Sequence, residues 1–297
     1  QTGLTWLTLK PVLQARTIIR EFEPDFVLGT GGYVCAPVMV AARWMGIRSW
    51  ILEQNSAPGF TVRRLARWVD GIGIAYEITR DRLPRNAPVE LVGNPVLTTI
   101  LTATRDAGIQ EFKLNSELKT LLVMGGSLGS VSLNNAVREL LAIDARSGIL
   151  RGWQVLHAVG QKKYESYMKQ ITARPGYHPH PFIYNAPAAL AASDLVMCRG
   201  GAMTLAEVTA RGIPSIVVPW PGAVRDHQTT NARSLDQAGA AVLIPEMELT
   251  GIRLAEIFRS FESNPHRLAE MADRARALGR PEAAERIADF ILAGDRD

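Results

Sequence analysis

The sequence predicts an α/β protein built on parallel sheets, and three observations carry that prediction. Short β-branched or aromatic runs recur along the 297 residues, each followed by a stretch with apolar residues at i, i+3 and i+4 spacing. Strands that alternate with helices imply crossover units and a parallel sheet. Several of the runs are apolar without alternation, as expected of strands buried on both faces. The unusual polar and glycine-rich residues cluster directly after the runs, where ligands bind in sheets of this kind.

The chain begins on Gln1 rather than Met, and LTWLTLKPVLQARTIIREF reads as a helix with no strand before it, so a piece in front is expected. The strands then follow in order: DFVLG (25–29), RSWIL (48–52), GIGIAY (71–76), VELVG (89–93), KTLLVMGG (119–126), WQVLHAVG (153–160), DLVMC (194–198), PSIVVP (214–219) and AAVLIP (240–245). MTLAEVTARG (203–212) reads as a helix that Gly212 stops. Residues 96–118, just after GNPV, break the rhythm with several charges and no strand, and read as an interdomain linker. This divides the chain into a first domain at 1–95, lacking its first strand and loop, and a second at 119–275. Residues 276–297 are expected to form a C-terminal helix packing back toward the first domain.

Composition bounds the possible functions. At 47% hydrophobic and 21% charged residues the chain is an ordinary globular one. A formal net charge of +4 is too small to argue for nucleic acid, but it suits an anionic substrate or an anionic membrane surface. Cys35 and Cys198 lie far apart, in no zinc or disulfide pattern, and fit a reducing compartment. No run approaches the ~18 apolar residues of a spanning helix.

The loops carry the candidate chemistry. In GGSLGS (125–130), Gly125 and Gly126 allow close approach, and Ser127 can offer an N–H and a hydroxyl to a phosphate. A plain strand-to-helix turn would read the same. In RGGAMTLAE (199–207), Gly200 and Gly201 precede a helix whose free N–H groups and dipole favour negative charge. Glu207, about a turn inside, can accept both hydroxyls of a ribose, or can simply stabilise its own helix. His227 and Gln228 in DHQTTNA suit sugar hydroxyls, although a lone loop histidine is more often a solvated surface residue. Phe182 and Ile183 in PFIYN read by themselves as core. Glu53, Gln54 and Asn55 follow a buried strand, where polar groups are costly unless hydrogen-bonded. Glu53 is an acid–base candidate or a structural cap, and the structural reading is favoured. Gly31, Gly32 and Tyr33 in TGGYVCAP open a helix suited to a diphosphate, or form a structural turn. Trp6, Leu9, Val12 and Trp44 stand near Lys10, Arg16, Arg43 and Arg48. They read either as an apolar patch ringed by cations for anionic lipid, or as core-facing helix residues.

Taken together and in order, PDFVLGTGGYVCAP, LEQNSAPG, VGNPV, MGGSLGS with LNNA, PFIYN, SDLVMCRGGAMTLAE, GIPSIVVPWPGAVRDHQTTNA and AGAA resemble the MurG family of glycosyltransferases over nearly all of residues 20 to 245. The resemblance implies two Rossmann-like domains facing across a cleft, the GT-B architecture, with an acceptor side in the first domain and a donor side in the second. It implies inverting, metal-independent transfer of N-acetylglucosamine from UDP-N-acetylglucosamine to a polyprenyl-diphosphate-linked muramyl pentapeptide (lipid I to lipid II) in peptidoglycan synthesis. No cofactor is expected beyond that donor substrate. The implied partners are the UDP-sugar, the lipid-linked acceptor, the anionic surface of the cytoplasmic face of the plasma membrane and other cell-wall synthesis proteins, with no nucleic acid.

Residue by residue, the resemblance carries donor contact to Asn55, Ser127, Ile183 (through its backbone, to uracil), the stretch Ala202, Met203, Thr204, Leu205, Ala206 and Glu207, and Gln228. It makes Gly125, Gly126, Gly200 and Gly201 phosphate-loop residues, assigns Gly31, Gly32 and Tyr33 to the acceptor, and favours membrane contact for Trp6, Leu9, Val12 and Trp44. No catalytic base is named; His227 and Glu53 are the nearest candidates. Three positions depart from the family: Leu97 replaces a usual Arg, Leu128 a usual Gln, and Asn185 a common acid. The family's first glycine-rich loop, with its histidine, would precede Gln1, so the chain as it stands is expected to bind UDP weakly without turning over. The alternatives are another lipid glycosyltransferase, a UDP-sugar 2-epimerase, or a non-catalytic nucleotide-sugar binding subunit. A dinucleotide oxidoreductase is disfavoured, because no G-x-G-x-x-G with an acid some twenty residues on is present.

Overall fold

Each of the nine sequence-predicted runs forms a strand, and burial on both faces explains why Gly71–Ile74, Lys119–Met124, Trp153–Ala158 and Leu195–Cys198 lack alternation. The computed structural model describes residues 9–171 and 174–292. The chain divides into two compact units, one running to Pro95 and regaining the chain from Glu282, the other Val96–Pro281.

The first unit contains α1 (Leu9–Phe22), β1 (Phe26–Gly29), α2 (Cys35–Trp44), β2 (Arg48–Glu53), α3 (Phe60–Leu65), β3 (Gly71–Ile74) and β4 (Val89–Leu91). Its sheet is parallel, in the order β1-β2-β3-β4. Successive side chains of β2 go to opposite faces. Ile51 joins the core beneath α1, α2 and α3, while Trp50 and Leu52 join Val92 and Ile287 on the other side. There the last helix of the chain closes the second face, and Phe290 stacks on Trp50 with ring centroids 4.6 Å apart.

α1 buries Val12, Ala15 and Ile19, one helical stripe, against Ala36, Met39 and Val40 of α2. This corrects the expected membrane patch: Val12 is 3% exposed and belongs to the core. Leu9 and Trp44 are exposed, whereas Trp6 lies outside the described residues.

The second unit contains α4 (Thr98–Thr102), α5 (Arg105–Phe112), β5 (Lys119–Met124), α6 (Val131–Ser147), β6 (Trp153–Ala158), α7 (Tyr164–Met168), β7 (Tyr177–His180), α8 (Ala186–Ala191), β8 (Leu195–Cys198), α9 (Ala202–Ala210), β9 (Ser215–Val217), α10 (His227–Gln237), β10 (Ala241–Leu243), α11 (Gly251–Ser263) and α12 (Arg267–Leu278). The closing helix of the first unit is α13 (Ala283–Leu292). The sheet is parallel, in the order β10-β9-β8-β5-β6-β7.

Strand β7, with the sequence YHPH, was not anticipated. It pairs only with β6, at the sheet edge, where Pro179 withholds no hydrogen bond that a second neighbour would need.

Residues 96–118 do not form a separate linker. Helices α4 and α5 pack on α8 and belong to the second unit. Arg105 donates to the Ala192 carbonyl at 3.1 Å and pairs with Asp194 at 3.1 Å, and Arg211 donates to the Ile100 carbonyl at 2.6 Å. Charges that looked like a solvated linker are thus anchors. The Gly212 stop is realised as expected: its N–H donates to the Thr209 carbonyl at 2.8 Å and that of Ile213 to the Val208 carbonyl at 3.0 Å, closing α9.

Candidate active site

The carboxyl ends of β5, β6 and β8 open onto a pocket of about 850 Å³ within the second unit. Its floor is the GGSLGS loop. Ser130 caps α6, accepting from the Leu133 N–H at 3.4 Å. Two glycines let this loop meet the loop after β6. A Cβ on Gly129 (φ +66°) would stand 2.2 Å from the Val159 carbonyl oxygen, and one on Gly160 would stand 2.6 Å from the Leu128 carbonyl oxygen. Backbone therefore touches backbone, which leaves Gly125, Gly126 and Ser127 on the pocket wall.

A buried polar network holds that junction. Asn134, on the first turns of α6, donates its amide to the Val159 carbonyl at 3.0 Å, and its Oδ1 lies 3.0 Å from His157 Nε2. His157 Nδ1 is 2.9 Å from the Tyr177 hydroxyl, which is 3.1 Å from that of Tyr167. Burial pushes the His157 imidazole down to about 3, so it is neutral at physiological pH and bridges two partners.

The opposite wall is tied by Arg199. Its Nη2 donates to Ser130 Oγ at 2.7 Å, Ser132 Oγ at 3.0 Å and Glu246 Oε1 at 2.6 Å, while Nη1 reaches the Val218 carbonyl at 3.2 Å. Glu246 also accepts from the Ser132 hydroxyl. Burial would raise its carboxyl pKa, but the hydrogen bonds from Ser132 and Arg199 and the Arg199 charge outweigh that and hold it below the usual value.

Helix α9 enters the pocket with Gly201 as an N-cap that offers no side chain. Its first intrahelical bond is the Leu205 N–H to the Gly201 carbonyl at 3.0 Å, so the N–H groups of Ala202, Met203 and Thr204 precede it, where a helix has donors to spare. Thr204 and Glu207 line the pocket, whereas the Leu205 side chain is buried in the core. The Glu207 carboxyl is pushed above its ordinary value by burial, and Glu207 and burial together raise the Cys198 thiol, burial dominating, to about 12.

Gly200 lies against the next loop: a Cβ there would come within 2.3 Å of the Gln228 carbonyl oxygen. Gln228 lines the pocket, and its Oε1 accepts from the Trp220 N–H at 2.9 Å. His227 opens α10 beside it but does not line the pocket, and its Nδ1 is buried without a hydrogen-bond partner among the described residues.

The structure thus brings Gly125, Gly126, Ser127, Ile183, Gly201, Thr204, Glu207 and Gln228 around one pocket. Arg199, Glu246, Ser132 and Lys163 also line it and were not singled out from sequence. Arg199 stood inside a motif that was read for its glycines, and Glu246 stood in a stretch with no motif at all.

Asn55 and the glycine pair at 31–32 belong to the first unit. Glu53 is a structural anchor there: Oε1 accepts from the Asn55 N–H at 2.9 Å and Oε2 from the Gly59 N–H at 2.7 Å. Gln54 donates to the Thr30 carbonyl at 3.2 Å, joining the loop after β2 to the loop after β1.

Residues 120–287 match the model of the glycosyltransferase family 28 C-terminal domain, and residues 3–74 match that of the family's N-terminal domain. A Desulforamulus reducens protein named UDP-N-acetylglucosamine–N-acetylmuramyl-(pentapeptide) pyrophosphoryl-undecaprenol N-acetylglucosamine transferase is 40% identical, over 95% of this chain and 77% of that protein. A Bacillus subtilis protein of the same name is 38% identical, over 94% of this chain and 76% of that protein. Among solved structures, Acinetobacter baumannii MurG superposes with a TM-score of 0.80 at 31% identity, covering 96% of this chain and 78% of that one. The chain belongs to the MurG family. With its two parallel-sheet units it has the GT-B architecture of that family. A Neisseria meningitidis UDP-GlcNAc 2-epimerase shares the fold alone, at a TM-score of 0.69 and 14% identity. MurG-type membership therefore separates this chain from the epimerases that its architecture would equally allow.

Proposed function

We propose that this chain is a hexosyltransferase that moves N-acetylglucosamine from UDP-N-acetylglucosamine onto an N-acetylmuramyl-pentapeptide carried on pyrophosphoryl-undecaprenol, the step that completes the lipid-linked disaccharide of peptidoglycan. The observation that carries this reading is the convergence, in a chain of the MurG family, of Ser127, the first turn of α9 and Glu207 on one pocket.

In the proposed reaction the acceptor hydroxyl attacks the anomeric carbon while the bond to the UDP oxygen breaks. The hydroxyl proton leaves to a base, and the sugar inverts. Charge that grows on the diphosphate is met by N–H groups of the Ser127 loop and by those of Ala202, Met203 and Thr204, fixed before reaction and needing no reorganisation. In this reading those donors replace a metal, and no cofactor is required beside the donor. Glu207 accepts the ribose hydroxyls, and the backbone at Ile183 faces the uracil. Gln228 has its carbonyl oxygen committed to the Trp220 N–H, which leaves its amide hydrogens for a sugar hydroxyl. Both carboxylate oxygens of Glu53 accept backbone N–H groups, which favours a structural role over that of the base.

The acceptor's lipid places the reaction at the cytoplasmic face of the plasma membrane, touched through exposed Leu9 and Trp44 near Arg16 and Arg43. Among the described residues no helix is long and apolar enough to cross a membrane.

The test combines calorimetric titration of UDP and UDP-N-acetylglucosamine with an assay of UDP release in the presence and absence of the lipid-linked acceptor. UDP binding by this chain that is lost in Glu207→Ala, together with acceptor-dependent UDP release by a chain extended at its N-terminus, is the expected result. UDP release or sugar isomerisation without acceptor would overturn the reading.

A further inference from the structure

One cation of the pocket, Lys163, lies outside the motifs of this chain that carry the family resemblance. The charged residues lining the pocket are Lys163, Arg199, Glu207 and Glu246, two cations and two carboxylates. Arg199 is committed to Glu246, as the 2.6 Å contact and the surrounding serine and carbonyl bonds show. With Arg199 and Glu246 paired, the wall keeps one carboxylate, Glu207, and one cation, Lys163, which has no carboxylate partner among the described residues; of the two, Lys163 is the one that attracts a diphosphate.

The geometry of Lys163 points its ammonium at the phosphate loop. Lys163 ends a short 3-10 turn, Gln161–Lys163, that follows Gly160, and its own N–H donates to the Gly160 carbonyl at 3.0 Å. That turn doubles the chain back, and Lys163 Nζ donates to the Leu128 carbonyl at 2.5 Å. Leu128 directly follows Ser127. An ammonium has three donors, and the Leu128 bond uses one of them. The side chain is thus held beside the loop by a single bond, with two N–H groups left for an incoming anion. The close backbone approach of Gly129 and Gly160 lies beside this bond. Leu97 and Leu128, both apolar and exposed, offer no charge of their own.

Resting on the donor-site reading above, we propose that Lys163 is a further donor-binding residue, supplying the unpaired positive charge that recognises the diphosphate of the nucleotide sugar. It acts on the phosphates rather than the base.

Affinities for uridine, UDP and UDP-N-acetylglucosamine, measured by calorimetry or competition on the parent chain, Lys163→Met and Lys163→Arg, test this. Lys163→Met keeps most of the stem and removes the charge. It is expected to weaken UDP and UDP-N-acetylglucosamine by about tenfold, to change uridine by less than about twofold, and to flatten the salt dependence of UDP binding. Lys163→Arg should restore most of the loss. Equal weakening of uridine and UDP would overturn the inference, since Lys163 would then be holding the loop or touching the base. UDP binding unchanged in Lys163→Met would overturn it as well, while leaving the donor site intact. A parent chain that binds no UDP would instead overturn the donor-site reading and this inference with it.

Discussion

Two strand-to-helix loops of this chain look alike in sequence and are built on opposite principles. Both GGSLGS after β5 and TGGYV after β1 are glycine-rich, and both precede a helix. In the first, the glycines let backbone pack on backbone: Gly129 sits against Val159, Ser130 caps α6, and Asn134 and Arg199 tie the loop to its neighbours on either side. In the second, Gly32 (φ +75°) has nothing within 4 Å of an added Cβ, and the N-cap of α2, Val34, contributes no side-chain bond. Tyr33 and Val34 stand exposed at 79% and 68%. Gly129 serves closeness in the first loop, whereas Gly32, like Gly126 (φ +86°), serves conformational freedom alone. The enclosed loop is a preformed wall, and the open one is a surface that a ligand or partner can still shape.

The largest effect that can break this contrast comes from Gly129→Ala. A left-handed φ costs a non-glycine residue about 1–2 kcal/mol, and forcing a methyl group against the Val159 carbonyl adds about 1–3 kcal/mol. Chemical denaturation should show a loss of about 2–5 kcal/mol, accompanied by lost UDP affinity. A midpoint equal to that of the parent would mean that the loops can separate freely, and the enclosed description would fail.

His157→Leu probes the same wall from beneath. It leaves Asn134 Oδ1 and the Tyr177 hydroxyl short of a buried partner, at a cost of about 1–3 kcal/mol. The pH dependence sharpens the reading. Burial lowers the folded-state pKa of His157 from 6.5 to about 3, so between those values the unfolded chain binds the proton and the folded chain does not. The contribution of this group is complete above pH 6.5 and is lost as pH falls toward 3. The parent should therefore lose stability over that window more steeply than His157→Leu. Parallel curves would remove the neutral bridge from the account.

How much of this was legible in the sequence divides along physical lines. Strands buried on both faces declare themselves as apolar runs, and all nine that were read exist. β7 gave no such signal: the edge strands β1, β4 and β10 still carry apolar runs, whereas YHPH has two histidines and a proline that reads as a break. Val12 was misread because a helix stripe facing α2 and a stripe facing lipid have the same composition. Residues 96–118 looked solvated, although Arg105 and Asp194 meet across a separation in sequence that periodicity does not sense. Of the pocket, the glycines and Glu207 stood in ordered motifs. Arg199, Glu246 and Lys163 act through tertiary pairing between separate loops, for which no local spacing gives a signal.

Glu207 gives a smaller effect, confined to the enclosed site. Glu207→Gln keeps the shape and removes the charge, and should weaken UDP by about tenfold, the scale of one charge-assisted hydrogen bond. Burial raises its folded-state carboxyl pKa above 4.5, so two consequences run in opposite directions. Ribose recognition needs the carboxylate, and UDP affinity should fall as pH drops through the raised pKa, at a higher pH than an ordinary glutamate would give. The group's contribution to folding is instead favourable below its unfolded value and lost as pH rises through the folded one. Titrations of UDP across this range on the parent and Glu207→Gln measure the first consequence, and a flat parent profile would exclude Glu207 from the ribose.

The smallest effect belongs to the open loop, and it completes the comparison. Gly32→Ala pays only for its left-handed backbone, about 1 kcal/mol, because the added methyl group meets nothing. Gly129→Ala carries a similar backbone cost plus the clash, so the difference between the two variants isolates the closeness of the enclosed loop from the shared cost of the φ angle. The two substitutions should also separate by ligand: Gly32→Ala should leave UDP affinity within about twofold, since the loop it alters belongs to the other unit. If both variants lost equal stability, the 2.2 Å approach at Gly129 would carry no energetic weight, and the two loops would differ in appearance only.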